Sequence, residues 1–350
     1  MRPRKRRRAL VVAAIGALFF VMATGTGTSG AQEHDPHDPE PTVTNPPSSS
    51  TLPPQPGSRE TVIQYGPYSV QAAPVNPDGT HGHAHTGNRF QFFIRKPCTN
   101  CYVTGMTADL VYADGTRAGW STDAQLHHMV MFASGSGKRD ATCSASFLGF
   151  LGQRFFASGD ERTPIIAPPG YGYFVGAFDQ WNLIWELANH HAEPQNGLYI
   201  AMKYNWVPAN TPGMKQLEPV WLDVNQCGTS EISVPQGPST RSWTWNVNRP
   251  GKIIGVGGHV HDGGINIDTR NVTTGQMICD SVARYGGSPL YTGHHGEGHL
   301  SGMSVCQGTG ENPVATVQNG QRVTITGHYN MPEAVTDQMG IVVMYLEKQA

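Results

Sequence analysis

The chain has 350 residues, a formal net charge of −2 and only 14% charged side chains, with no basic cluster after Arg8. Nothing in that balance points to nucleic acid or an anionic lipid surface as a partner recruited by charge. GxSxG, HExxH and phosphate-binding glycine loops are missing, so neither a hydrolase nor a nucleotide-dependent enzyme finds support.

Met1–Arg8 is strongly basic and precedes an apolar run from Ala9 to Ala23, then Ser29-Gly30-Ala31 before Gln32. This is the layout of a signal peptide over residues 1–31, and the apolar run is shorter than the roughly 20 residues that span a bilayer. The expectation is a secreted protein with no membrane association after cleavage. Residues 32–60 are rich in Pro, Ser, Thr, Asp and Glu and cannot bury enough apolar surface to order themselves, so they read as a disordered leader.

The remainder is dominated by short β-type patterns. Candidate strands are 89–94, 101–112, 128–132, 171–177, 198–206, 220–225, 242–247, 252–260, 264–271, 322–329 and 340–346. Only Gln180–Asn189 reads as helical. With 42 Gly and 26 Pro to supply tight turns, the expected fold is all-β: two tandem antiparallel β-sandwich, jelly-roll-like domains over residues 61–215 and 216–350. Six cysteines in an exported chain imply disulfides. Cys98 and Cys101 read as structural rather than redox-active, and Cys279 with Cys306 is the favoured single pair.

Histidine spacing carries the chemistry. His81-Gly82-His83-Ala84-His85 lies in a Gly-rich loop and reads as an adventitious metal binder. His127-His128-Met129 is a candidate site, but adjacent strand residues point to opposite faces, so two ligands for one ion require a bulge there. His259-Val260-His261 follows an apolar, glycine-containing strand, and residues i and i+2 of a strand share a face. Two imidazoles with a thioether, Met339, would select copper. Met277, Met303, Met331 and Met344 are nearby competitors for that role. Asp262-Gly263-Gly264 reads as a hairpin turn, with Asp262 a candidate to orient a ligating imidazole. The His294–His299 cluster reads as a polar loop.

These motifs resemble the copper type II, ascorbate-dependent monooxygenases, a family that includes peptidylglycine α-hydroxylating monooxygenase and dopamine β-monooxygenase. The resemblance rests on His127-His128-Met129, on His259 and His261, on Asp337-Gln338-Met339, which singles out Met339, and on the turn Ala167–Tyr173. It covers residues 90–347 loosely. It implies two mononuclear coppers separated by a solvent gap, one per sandwich. His127 and His128 would hold an electron-transfer copper served by an ascorbate-like reductant, and His259, His261 and Met339 an oxygen-binding copper that hydroxylates a small organic substrate with O2.

Two departures accompany the resemblance. Where the family has a third histidine, the strand Leu198–Tyr204 offers Lys203, which cannot ligate when protonated; His190 or His191 are substitutes. The arginine and polar groups that hold a substrate carboxylate correspond to Gly257, Ile341 and Val343, so a less polar substrate is expected. The alternatives are a non-catalytic copper-binding protein that keeps one ion, favoured by Lys203, and a metal-free binding module.

Overall fold

The computed structural model describes residues 55–76, 82–144, 146–294 and 296–348. The expected signal peptide, most of the leader, His81 and His295 lie outside the described residues. Among the described residues the regular secondary structure is nearly all strand, and no helix is long and apolar enough to cross a membrane.

A ten-stranded sheet forms the backbone of the molecule. Its main path runs Arg59–Val70, Gln195–Pro208, Cys101–Tyr112, Tyr171–Val175, Lys215–Asp223, Gly340–Lys348, Gly251–Val260, Val305–Gln307. A five-stranded sheet built on Gln180–Asn189, Ala124–Ser134 and Gln153–Gly159 packs on the first half of this path and encloses one core, which includes Leu110, Leu126, Met129, Trp181 and Met202. A second five-stranded sheet, containing Gly264–Asn271 and Arg322–Met331, packs on the other half around Val220, Ile253, Val260, Ile325 and Met344. The all-β sandwich expectation is therefore met.

Alternation along the last strand explains how the halves join. Val342, Met344 and Leu346 enter the second core, whereas Ile341, Val343 and Tyr345 point the other way. There they meet Trp221, Ile254 and Met339, with Val130 and Ala157 of the first five-stranded sheet packed against them. A strand with two buried faces cannot show polar alternation, because each parity feeds a different core. This junction cluster presses the two sandwiches together and carries the candidate site at its edge.

Two expectations need correction. Gln180–Asn189 is a strand, not a helix. It is central in its sheet and all but Gln180 is buried, so its continuous apolar run mimics a helical pattern, an ambiguity that periodicity cannot resolve. The Asp262-Gly263-Gly264 turn does not make a hairpin: the strands either side of it join different sheets, pairing with Gly340–Lys348 and Arg322–Met331 respectively. Turn chemistry fixes the local reversal, but the burial demands of the two cores choose the partners.

The cysteines form disulfides Cys98–Cys101, Cys143–Cys227 and Cys279–Cys306. The third is the pair favoured above, and the second ties the two halves together.

Candidate metal centre

The bulge required at His127 is present. In the ladder between Ala124–Ser134 and Gln180–Asn189, Leu126 pairs with Leu187 and His128 with Glu186, leaving His127 as the extra residue. Leu126 and Met129, three positions apart, both enter the first core. The two histidines between them are therefore turned to the opposite side, toward the junction.

The second pair reaches the same place by ordinary pleating. Val260 enters the second core, so His259 and His261 face the junction. His259 pairs with Ile341 and Val260 with Gly340; one further step of this register sets Met339 across from His261. The buried side chain of Gln338 fastens that arrangement, its Oε1 accepting the N–H of His261 at 2.8 Å and of Met339 at 2.9 Å. Met339 itself is buried in the junction cluster.

Hydrogen bonds fix which nitrogen each ring presents. His261 Nδ1 lies 2.6 Å from the backbone carbonyl of Asp337, which can only accept, so Nδ1 carries the proton. His259 Nδ1 likewise donates to Glu161 Oε1 at 3.0 Å. The Nε2 atoms of both rings are buried and make no hydrogen bond. His128 Nε2 donates to Asn88 Oδ1 at 2.9 Å, turning its Nδ1 toward His127 Nδ1, 3.1 Å away. Burial is the main reason the pKa values of His128 and His261 lie well below that of free imidazole, with the surrounding imidazoles adding to it. Both are neutral at pH 7, the state in which imidazole is a ligand.

The structure brings ligand atoms of His127, His128 and His261 within 4.8 Å of one another. The ring centroid of His261 is 4.2 Å from that of His127 and 6.0 Å from that of His128, and that of His259 is 5.2 Å from His261. The solvent gap implied by the resemblance is therefore replaced by direct juxtaposition, because both pairs lie on the faces that the junction cluster packs together. Gly159, paired with His128, permits the approach: a Cβ there would lie 2.7 Å from His259 Cε1 and 2.8 Å from the carbonyl oxygen of His127.

Other expected residues fall elsewhere. Lys203 is half exposed and faces Glu60 at 3.9 Å, on the outer side of a strand whose neighbours Met202 and Tyr204 fill the first core. His190 packs between Trp120 and His83 and meets Gln125 Oε1 at 3.2 Å, while His191 accepts the N–H of Glu193. Neither belongs to the three-histidine group. Asp262 does not orient His259 or His261; it accepts from His299 Nδ1 at 2.6 Å, and His299 stacks on Trp120. The His294–His299 segment thus contributes a packed histidine, while His294 bonds Asp123.

Sequence reasoning missed Glu161, Glu186 and Gln338. Glu186 offered a signal, a lone carboxylate inside the apolar run Trp181–Ala188.

Residues 209–349 match the family described as "Stress up-regulated Nod 19". "Probable copper-dependent oxygenase M1" of Phoma sp. is 30% identical over 313 residues, covering 83% of this chain and 73% of that protein. The chain belongs to this copper-dependent oxygenase family. "Probable copper-dependent oxygenase clz3" of Cochliobolus lunatus, 29% identical over 265 residues, covers 69% of this chain and 78% of its own. Among solved structures, PBCV-1 VP54 fitted into a reconstruction of the virophage Sputnik aligns with 83% of this chain and 94% of its own at a TM-score of 0.29 and 10% identity, too little similarity to bear on the fold. Imidazole, which His127, His128, His259 and His261 offer at the junction, suits copper, the metal named in those relatives' descriptions.

Proposed function

We propose that the chain is a secreted copper-dependent monooxygenase that hydroxylates a C–H bond of a small, apolar organic substrate, using O2 and an external one-electron reductant such as ascorbate. The observation that carries this reading is the pair of buried, unpartnered Nε2 atoms of His259 and His261, each with its Nδ1 held on an oxygen. A buried nitrogen lone pair without a donor costs free energy unless a cation takes it up, and two such atoms on rings whose centroids lie 5.2 Å apart are candidate metal ligands.

His259 and His261, with Met339, would hold one copper, and His127 and His128 the other. Bound copper supplies one-electron redox chemistry and a coordination position for dioxygen. Glu161 holds the His259 ring in the tautomer that exposes Nε2, and the Asp337 carbonyl does the same for His261. The junction cluster keeps bulk water from this side of the rings.

Beside His259 lies a cavity lined by Ala157, Ile165, Gly257, Ile341, Val343 and Tyr345, with Glu161 and Thr163 as its polar lining. It presents no cation to a substrate carboxylate, which supports an apolar substrate over a peptide acid.

Ascorbate-dependent oxygen uptake by the copper-loaded protein, measured across a panel of small apolar compounds, tests the proposal. Turnover in the wild type and none in His259→Ala is expected. Turnover retained by His259→Ala would overturn the assignment, and copper binding without any oxygen uptake would leave a copper-binding protein instead.

A further inference from the structure

Lys203 removes the histidine expected to complete the His127–His128 copper, and neither His190 nor His191 replaces it. Glu186 lies beside that pair. It sits directly across from His128 in the sheet, so the two side chains share a face. Its side chain is 7% exposed, and its ion-pair partners within 4.0 Å among the described residues are all imidazoles: His85 Nδ1 at 3.0 Å, His128 Nε2 at 3.9 Å and His127 Nδ1 at 4.0 Å. A buried carboxylate without a lysine or arginine calls for a cation of another kind. The Nδ1 atoms of His127 and His128 face each other at 3.1 Å, close to the ~3.3 Å that separates two nitrogens bound to one tetrahedral ion at ~2.0 Å.

His85 arrives on a two-residue strand, Ala84–His85, paired with Asn189 and Ala188 at the end of the strand that carries Glu186. Ligand atoms of His85, His127 and Glu186 all lie within 4.8 Å of one another. We propose that His85 and the carboxylate of Glu186 complete the coordination of the copper held by His127 and His128. The site then has three imidazoles and one carboxylate, a set suited to a Cu(II)/Cu(I) centre of borderline softness. The anionic ligand favours the oxidised ion.

The arrangement also gives this side of the cluster a distinct role. The His85 side chain is 32% exposed, whereas His259 is buried with Glu161. A small soluble reductant reaches the His85 side, while the His259 side stays enclosed for dioxygen and substrate.

The proposal rests on the reading that the chain binds copper, so the test measures copper first. Purified full-length mature protein is titrated with Cu(II), dialysed against low free copper and assayed for copper per chain, with Cu(II) electron paramagnetic resonance on each sample. Wild type should hold two ions. His85→Ala and Glu186→Gln, checked by circular dichroism to be folded, should each bind the second ion at least about a hundredfold more weakly, beyond the 10–100-fold usual for an outer contact. His85→Ala should also lose one nitrogen coupling from the spectrum. Lys203→Ala, His190→Gln and His191→Ala should keep two ions. Two tightly held ions with an unchanged spectrum in His85→Ala and Glu186→Gln, or a single ion in wild type, would overturn the proposal. No copper in wild type would instead defeat the functional reading on which it rests.

Discussion

Replacing Gly159 with alanine tests whether the two sandwiches build the site together. A methyl carbon there would lie 2.7 Å from His259 Cε1, 2.8 Å from Glu161 Oε2 and 2.8 Å from the backbone oxygen of His127. Two of those neighbours belong to the first half and one to the second. Ordinary contact begins at about 3.5 Å, so the His259 ring would have to retreat by roughly 0.8 Å. Overpacking of this kind costs about 1–3 kcal/mol, and in a chain of this size about 2 °C of melting temperature accompanies each kcal/mol. The predicted fall is about 2–6 °C. Metal bonds tolerate displacements of about 0.2 Å, so copper affinity should drop at least about tenfold. Calorimetric melting of the metal-free protein and a copper titration against a competing chelator measure the two effects. Gly257→Ala is the control, because a Cβ there meets only the flexible end of Ile165 at 3.0 Å and Val305 at 3.7 Å; copper binding should persist. An unchanged melting temperature together with copper affinity within twofold of wild type in Gly159→Ala would refute the reasoning.

Three further predictions concern the surroundings of the site. Glu161→Ala removes the acceptor for His259 Nδ1 and should weaken copper binding about 10–100-fold in the chelator competition; a folded variant with wild-type affinity would argue against His259 as a ligand. Burial, aided by neighbouring imidazoles, lowers the pKa of His190 from 6.5 to about 2, so its neutral ring stabilises the fold above pH 6.5 and that contribution is lost as pH falls. Relative to His190→Gln, wild type should therefore lose up to about 1.4 kcal/mol per pH unit below 6.5, read as the difference in urea midpoints at pH 7.5 and 5.0; parallel curves would count against it. Cys143–Cys227 closes a loop with a sequence separation of 84, so Cys143→Ser/Cys227→Ser should cost about 4–5 kcal/mol on the loop-entropy account; a loss below 1 kcal/mol in urea would show that the junction cluster alone fixes the two halves.

The parts of this architecture that depend on local rules were legible in the sequence. Residues 89–94, 101–112 and 264–271 form strands with the expected bounds, since each alternates or runs apolar between turn residues. The bulge at His127 followed from pleat geometry as the condition for two adjacent histidines to act together, and the shared face of His259 and His261 from the same period of two. What was not legible depends on partners distant in the chain. The strand Gln180–Asn189 is hidden by burial on both faces, and with it Glu186, whose place beside the candidate site comes from pairing with His128 and His85. Asp262 was read from its neighbourhood to His261, whereas its partner is His299, brought there by the strand Leu300–Met303.

The juxtaposition of the two histidine pairs follows from one constraint. The strand that ends at Val260 and the strand that begins at Gly340 each divide their side chains between the second core and the junction. His259 and His261 share the parity that faces the junction, and so do Ile341 and Val343. The bulge at His127 turns both histidines of the other sandwich to that same side. Candidate ligands from the two halves can then meet only if the hydrophobic junction holds, so the contact between sandwiches and the candidate metal centre form one structural unit. Packing beneath His259 should therefore influence metal binding alongside the ligands themselves, and a single methyl group at Gly159 tests the contact between the sandwiches, which the removal of any one imidazole does not.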